Sequence, residues 1–462
     1  MSPQSRRISL CSVTLILAAF CNCSNSARSG SICTQLLFKL KNGDKADVML
    51  ELPSLFSKVM RNPALKFLIG AAKAGMMKAL MKQATAASQA PFMAVIRGLG
   101  ISKSATPFWI SNHIGLNNVD LKAVRILGAL PGVFHIREQF VATIDPVEVG
   151  SDPIHKREIR QIKAQWGVSK IGAPSVWGKT KGENIVVATI DSGVYAGHEA
   201  LKDNYAGKWL DASGESNSTT PIDTNKYGHG THVMGIICGR TKGIGVAPGA
   251  KWIACKAFLA NGSSKEIAFR ICGQWIFQQR PHIVSNSWVG GSGNSEFGDI
   301  IQSWREVGII PIFAIGNHGD LCRSAGSPGD QPNVISVGST SINDTMSKTS
   351  GRGFAKSGAI KPEVTAPGVD IYSAWFDSNR KTNLYSVMSG TSMACPNAGA
   401  VALMLSANPS WKFDDVLSAL KNTADRPPVD AKDLACGNTT TSNYPNNAFG
   451  WGRINVKKAL GM

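Results

Sequence analysis

From Trp166 onward, short apolar runs alternate with stretches of helical length, and this alternation restricts the fold more than any other feature of the chain. The runs 185–190, 252–258, 282–284, 309–315 and 334–337 lack a polar face, so each reads as a strand buried on both sides. Glu266–Gln279 and residues 297–307 separate them as helices. Strands of this kind joined by helices predict an α/β fold, a doubly wound and mostly parallel sheet covered on both faces. Chemistry in such folds gathers at the carboxyl ends of the strands.

Residues before this region follow a different pattern and predict a separate small α+β unit over about 32–146. Its expected elements are a strand at 47–52, a helix at 64–89, a strand at 108–111, a helix at 121–130 and a last strand at 133–144. On the long helix, Leu65, Leu68, Ile69, Ala72, Met76 and Leu80 would share one side, with Lys66, Lys73, Lys78 and Lys82 on the other. A membrane-active amphipathic helix and a helix packed on a sheet show the same pattern. Residues 145–161, with Pro146, Gly150, Pro153 and the basic run His155-Lys156-Arg157, read as an exposed linker.

The start of the chain resembles an export signal. Arg6 and Arg7 precede an apolar run over 8–21 that is too short to span a bilayer, with a cut expected between Ala19 and Ala27. No later segment is long and apolar enough to cross a membrane, so a secreted protein is expected, divided as 1–27, 28–157 and 158–462. Cys11, Cys21 and Cys23 would leave with the signal, while Cys33, Cys238, Cys255, Cys272, Cys322, Cys395 and Cys436 could form disulfides whose pairing spacing does not fix. Asn217, Asn261, Asn343 and Asn438 each begin an acceptor triplet for N-glycosylation. The net charge of +18 is divided between residues 1–158 and 159–462 without a basic stripe interleaved with aromatics. Nucleic acid is therefore not an expected partner.

Four fragments carry candidate chemistry. The 185–190 strand runs into Asp191-Ser192-Gly193, placing a carboxylate at its carboxyl end. Gly228-His229-Gly230-Thr231-His232 offers an imidazole flanked by glycines, the 309–315 strand ends in Gly316-Asn317, and Ser389-Gly390-Thr391-Ser392 opens into the apolar run 399–405. Each alone has a plainer reading: a turn, an N-cap, or two histidines spaced for metal without a third ligand. Together they offer a serine, a base to activate it, a carboxylate to orient the base, and donors for an oxyanion.

The order Asp, His, Ser, with IDSGV around Asp191, HGTHV around His229, GVAPGAKW at 245–252, VSNSW at 284–288, AIGN ending at Asn317 and GTSMACP around Ser392, resembles the subtilisin-like serine proteases over about 166–460. GSPGDQPNVISVG and GWGRIN are similar to the bacillopeptidase-F-like branch, and residues 32–146 resemble, more loosely, the family's inhibitory propeptides of ferredoxin-like fold. The resemblance implies a secreted endopeptidase made as a zymogen, acting on proteins or peptides as a monomer and held by its own propeptide. It implies Ser392 as nucleophile, His229 as general base, Asp191 as its orienting carboxylate, and the Asn317 amide with the Ser392 N–H as oxyanion hole. His232 would be structural and Cys395 a packed thiol.

Ser287, Trp288, Val289 and Gly290 would pair with an extended substrate, with Val289 where the family usually has Gly. Ala314, Ile315 and Gly316 would form the facing wall, and Gly326 the pocket floor. Room above Gly326 and the absence of a lining carboxylate predict a bulky apolar or otherwise uncharged residue before the scissile bond; paired basic residues are the alternative, through Glu296, Asp299 and Asp330. No cofactor is expected. The family's high-affinity calcium site should be absent, because Ala200 stands at the position of its acid and the loop 238–243 offers Arg240 and Lys242 but no carboxylate. An inactive binding module would be signalled by a missing triad member, and a basic membrane- or polymer-binding protein by a coherent cationic face; neither is visible.

Overall fold

The computed structural model describes residues 30–144, 147–149, 164–377, 384–434, 436–437 and 443–462. The expected export signal, the basic run at 155–157, the sequon at Asn438 and the expected cleavage points lie outside them.

The larger unit is a seven-stranded, wholly parallel sheet in the order Val364–Pro367, Ile335–Thr340, Ile310–Ala314, Ile283–Asn286, Val186–Asp191, Lys251–Lys256, Tyr205–Asp211. The five central strands are those the apolar runs predict. The two edges were not legible: Tyr205–Asp211 is partly exposed and Val364–Pro367 has only four residues. Side chains alternate across the sheet, so Val187 joins the core beneath the helices His229–Cys238 and Ala398–Ala407, while Ala188 joins the core beneath Glu266–Gln279 and Gly298–Glu306. Every residue of His229–Cys238 is buried, and so is Ala398–Ala407 up to Leu405, so both helices of the first pair are enclosed on nearly every side. Disulfides join Cys255 to Cys272 and Cys322 to Cys436, whereas Cys238 and Cys395 are buried thiols.

The N-terminal unit has the order strand, helix, strand, strand, helix, strand that defines a ferredoxin-like fold, built from Ala46–Glu51, Gly70–Gly98, Ala105–Phe108, His113–Val119, Leu121–Gly128 and His135–Glu138. Three expectations are corrected here. The strand expected at 108–111 is Ala105–Phe108, followed by a turn and by His113–Val119, whose Gly115, Asn117 and Asn118 concealed it. The single strand expected over 133–144 is broken into His135–Glu138 and Val141–Thr143, which join different sheets.

The long helix begins at Gly70 rather than 64, after the separate short helix Pro63–Lys66, and its buried face is Ala74, Met77, Met81, Phe92 and Ile96. Ile69 is 83% exposed, and Lys73 and Lys78 reach across to Glu306 and Gln278. A helix covering a sheet on one side and touching a second unit on the other has two occupied faces, which blurs its sequence period.

The N-terminal sheet rests on the helix Glu266–Gln279. Trp109 packs edge-on against Phe277, its backbone N–H donates to Gln274 Oε1, and Gly115 faces Ile267 so closely that a methyl group there would lie 2.6 Å from Ile267 Cδ1. Beside this contact lies a buried charge cluster. Arg137 binds Glu266 through both terminal nitrogens (2.7 and 3.0 Å), Glu296 (2.8 Å) and Glu51, while Arg270 binds Glu266 and Ser111 Oγ. His113 stands 3.8 Å from both Glu51 and Glu296.

Burial raises the Glu51 carboxyl against the pull of Arg137, and its hydrogen bond with Glu296 adds to the rise. Burial would also raise Glu296, but its proximity to His113 and the charge of Arg137 hold it below the usual range. Burial and the charge of Arg270 push His113 down to about 4. Two arginines thus face two ionised carboxylates, with Glu51 keeping its proton and His113 neutral; the guanidinium among them makes the Glu51–His113–Glu296 group a charge network rather than a metal site.

A pH dependence follows. Because the folded chain holds the Glu51 proton more tightly than the unfolded chain, this contribution is complete below the ordinary carboxylate range and is lost as pH rises above it. The His113 contribution runs the other way, lost as pH falls from the ordinary imidazole range toward 4. Above about pH 6.5, the ordinary imidazole value, Glu51 therefore acts alone. The melting temperature of the Ser392→Ala chain should fall from pH 6.5 to 8.5 more steeply than that of the double variant with Glu51→Gln, whose amide mimics the protonated acid; parallel profiles would contradict this.

Candidate active site

Asp191 is the last residue of the Val186–Asp191 strand, and its carbonyl accepts from Ala257 N at 2.9 Å, which fixes the turn that follows. Its Oδ1 accepts from Ser192 N at 2.7 Å and lies 2.8 Å from His229 Nδ1. With a carboxylate on that side, Nδ1 is the nitrogen that carries hydrogen and Nε2 is the basic one. His229 opens the helix His229–Cys238, and both groups are almost fully buried. The approach requires glycine at 230: a Cβ there would lie 2.0 Å from Gly193 O.

Asp223 was not singled out in the sequence, yet it braces this pair. Its Oδ1 accepts from Ser192 Oγ (2.9 Å) and Asn225 N (3.1 Å), and its Oδ2 accepts from Thr231 N (2.9 Å) and Thr231 Oγ1 (2.7 Å). Ser192 Oγ in turn accepts from Gly230 N at 2.9 Å. The strand end bearing Asp191 and the helix start bearing His229 are thus tied through one carboxylate. Burial raises its pKa to about 6 against the opposing bonds from Thr231, with the Asp191 charge adding to the rise. The signal for it was weak, because Asp-Thr-Asn ahead of Gly-His reads as an ordinary turn.

Ser392 is the second residue of the short helix Thr391–Ala394, which passes through a tighter turn at Cys395–Asn397 into Ala398–Ala407. Pro396 therefore sits in this joint. Ser392 Oγ donates to Ser287 O at 3.3 Å and Ser287 Oγ to Ser392 O at 3.1 Å, which seats the serine on the 287–290 segment. Asn317 is oriented from the same turn, since its Oδ1 accepts from Thr391 N (2.8 Å) and Thr391 Oγ1 (2.9 Å). That leaves Nδ2 as the donor end of the amide. Gly390 has φ +152°, and a Cβ on it would lie 3.0 Å from Asn317 Nδ2.

Trp288 is buried among Phe269, Phe297 and Phe313, so its ring belongs to the core and only its backbone can meet a substrate. The space expected above Gly326 is occupied by the Val289 side chain. Ala314 and Ile315 are buried, with Ala314 ending its strand and Ile315 O accepting from Gly326 N at 2.8 Å, and Gly316 O accepts from Gly351 N. The acids of the basic-pocket alternative are engaged elsewhere: Glu296 by Arg137, and Asp330 by Gly293 N, Ser327 Oγ and Gln331 Nε2, while Asp299 bonds Ser54.

His232 is enclosed, its Nε2 3.1 Å from Ser386 O, and burial lowers it to about 3. Burial raises the Cys395 thiol to about 11, so it is a poor nucleophile near neutral pH. At the loop that would hold calcium, Ala200 O accepts from Arg240 N at 2.9 Å and Glu199 Oε1 from the Tyr385 hydroxyl at 2.6 Å.

Residues 182–452, which contain all four candidate groups, match the family model described as the Subtilase family. The chain belongs to the subtilase family. It is a serine endopeptidase. Among subtilases and their relatives it is 35% identical to bacillopeptidase F of Bacillus subtilis (strain 168) over 346 residues, a match spanning 66% of this chain and 23% of that protein. It is 31% identical over 355 residues to subtilisin amylosacchariticus of Bacillus subtilis subsp. amylosacchariticus, spanning 74% of this chain and 79% of the relative. Thermitase of Thermoactinomyces vulgaris is 32% identical over 266 residues, 57% of this chain and 88% of the relative. Among the described residues, no helix of this subtilase is long and apolar enough to cross a membrane.

Proposed function

We propose that the chain is a secreted zymogen in which Ser392 attacks the scissile carbonyl, His229 takes and returns the proton, and Asp191 holds the imidazole and stabilises its charged form. The observation that carries this reading is the buried 2.8 Å contact between Asp191 Oδ1 and His229 Nδ1, on the same carboxyl side of the sheet as the serine turn. Asn317 Nδ2 and Ser392 N supply the oxyanion hole, with the amide pre-oriented by Thr391 so that little reorganisation accompanies the reaction.

The segment that follows the N-terminal unit supports the zymogen reading. Val141–Thr143 pairs antiparallel with Ser263–Lys265, Thr143 N donates to Val289 O at 3.3 Å, and Glu148–Val149 pairs with Ser389 and Met388. It lies along the lane an extended substrate would use, an instance of strand addition. Residues 28–157 thus act as a propeptide that blocks the site until it is cut. The length of the subtilisin match, greater than the segment 182–452, favours the same division. Asn217, Asn261 and Asn343 are exposed, as acceptors for glycans must be. Preference is for an uncharged residue before the scissile bond, because the acids nearby are already engaged.

A fluorophosphonate probe tests the assignment. The active enzyme should lose peptidase activity in step with labelling, and peptide mapping should place the adduct on Ser392. An adduct on another serine with Ser392 unmodified would overturn it.

A further inference from the structure

Val289 and Gly326 stand on facing walls of the proposed substrate lane, and their contact decides what fits between them. Successive side chains of an extended segment point to opposite faces. Trp288 points inward to the core, so Val289 points away from it, yet Val289 is only 3% exposed. Gly326 contributes to that cover. A methyl group built on Gly326 would lie 2.9 Å from Val289 Cγ1 and 3.2 Å from its Cβ, inside van der Waals contact. The isopropyl group therefore lies against the bare backbone of Gly326.

The two walls have little freedom to part. Gly290 N donates to Ser327 O at 2.8 Å and Ser327 N to Gly291 O at 2.6 Å, joining them by two backbone bonds immediately after the contact. Behind the second wall, Asp330 N donates to Gly326 O at 2.9 Å, and the Asp330 carboxylate accepts from Ser327 Oγ and Gly293 N. Valine is stiff at χ1, so swinging its methyl groups off the floor needs a disfavoured rotamer in a site without slack. Val289 O meanwhile accepts from Thr143 N, so a filled floor is compatible with strand pairing along the same segment.

The geometry points to Val289 as a specificity-determining residue: by occupying the floor above Gly326 it restricts the position before the scissile bond to small side chains, Gly, Ala or Ser, and excludes Leu, Met and Phe. This rests on the reading of 287–290 and 314–316 as substrate-binding walls. It replaces the bulky side chain that the sequence implied. A pocket discriminates by roughly 10–200-fold per methylene-sized difference, and a ring that cannot enter is rejected at the upper end of that range or beyond.

The test uses enzyme matured from the full chain and peptides that differ only in having Gly, Ala, Leu or Phe before the scissile bond. The kcat/KM ratio of Ala to Phe should be about 10² in the unaltered enzyme, and Val289→Gly should bring it to unity or below. Val289→Ala, of intermediate volume, should give an intermediate ratio and serves if the glycine variant does not fold. Equal cleavage after Ala and Phe by the unaltered enzyme, or an unchanged ratio in both variants, overturns the inference. An enzyme labelled at Ser392 but indifferent to size contradicts this inference alone. A protein that cuts no peptide and takes no label contradicts the function beneath it as well.

Discussion

Replacing Ser392 with Ala is expected to lower peptide turnover by about 10⁶, the loss measured for the equivalent serine of subtilisin, while leaving the fold intact. The side-chain hydroxyl makes one hydrogen bond, 3.3 Å to Ser287 O, and such a bond is worth only about 1 kcal/mol of stability. The turn that holds the residue is secured instead by Thr391 on Asn317 and by the Ser287 hydroxyl on Ser392 O, neither of which the substitution touches. If maturation is self-catalysed, the same change leaves the N-terminal unit attached. Purified variant chain should then persist at full length where the unaltered chain is processed. Normal processing of the pure variant would mean that the activation cut does not depend on this serine.

Asn317→Ala should reduce turnover by about 10²–10³, the range found for the oxyanion amide of subtilisin, with little change in KM. The amide meets the substrate oxygen chiefly as negative charge develops, so its loss falls on the transition state rather than on the bound substrate. The substitution also removes the acceptor of Thr391 N, at a stability cost on the order of 1–3 kcal/mol. Kinetics should therefore be measured well below the variant's melting temperature. A loss confined to KM would contradict the role assigned to this residue.

The N-terminal unit shows how far local pattern reaches. Val141–Thr143 could be read as strand-forming from its residues, but its partner is Ser263–Lys265, more than a hundred positions away, and nothing in either segment names the other. Lys73 and Lys78, read as one side of a helix, turn out to contact Glu306 and Gln278 in the other unit. The buried cluster of Arg137, Glu51, Glu266, Glu296, Arg270 and His113 has one local signature, the i,i+4 pair of Glu266 and Arg270; the other members are brought to it from distant segments, which no local pattern announces.

The sequence by itself determined the parallel sheet, the central strands, and the turns that carry Asp191, His229, Asn317 and Ser392. Those features depend on short-range chemistry: a continuous apolar run has to be buried on both faces, and glycines beside a reactive group mark close backbone approach. Only the tertiary structure decided that Asp223 braces the Asp191–His229 pair, that Trp288 serves the core, and that Val289 fills the floor above Gly326. Pattern tells that a side chain is buried but not against what. Which atoms meet is set by how two walls, built from residues far apart in the chain, are brought together by the packing of the whole sheet.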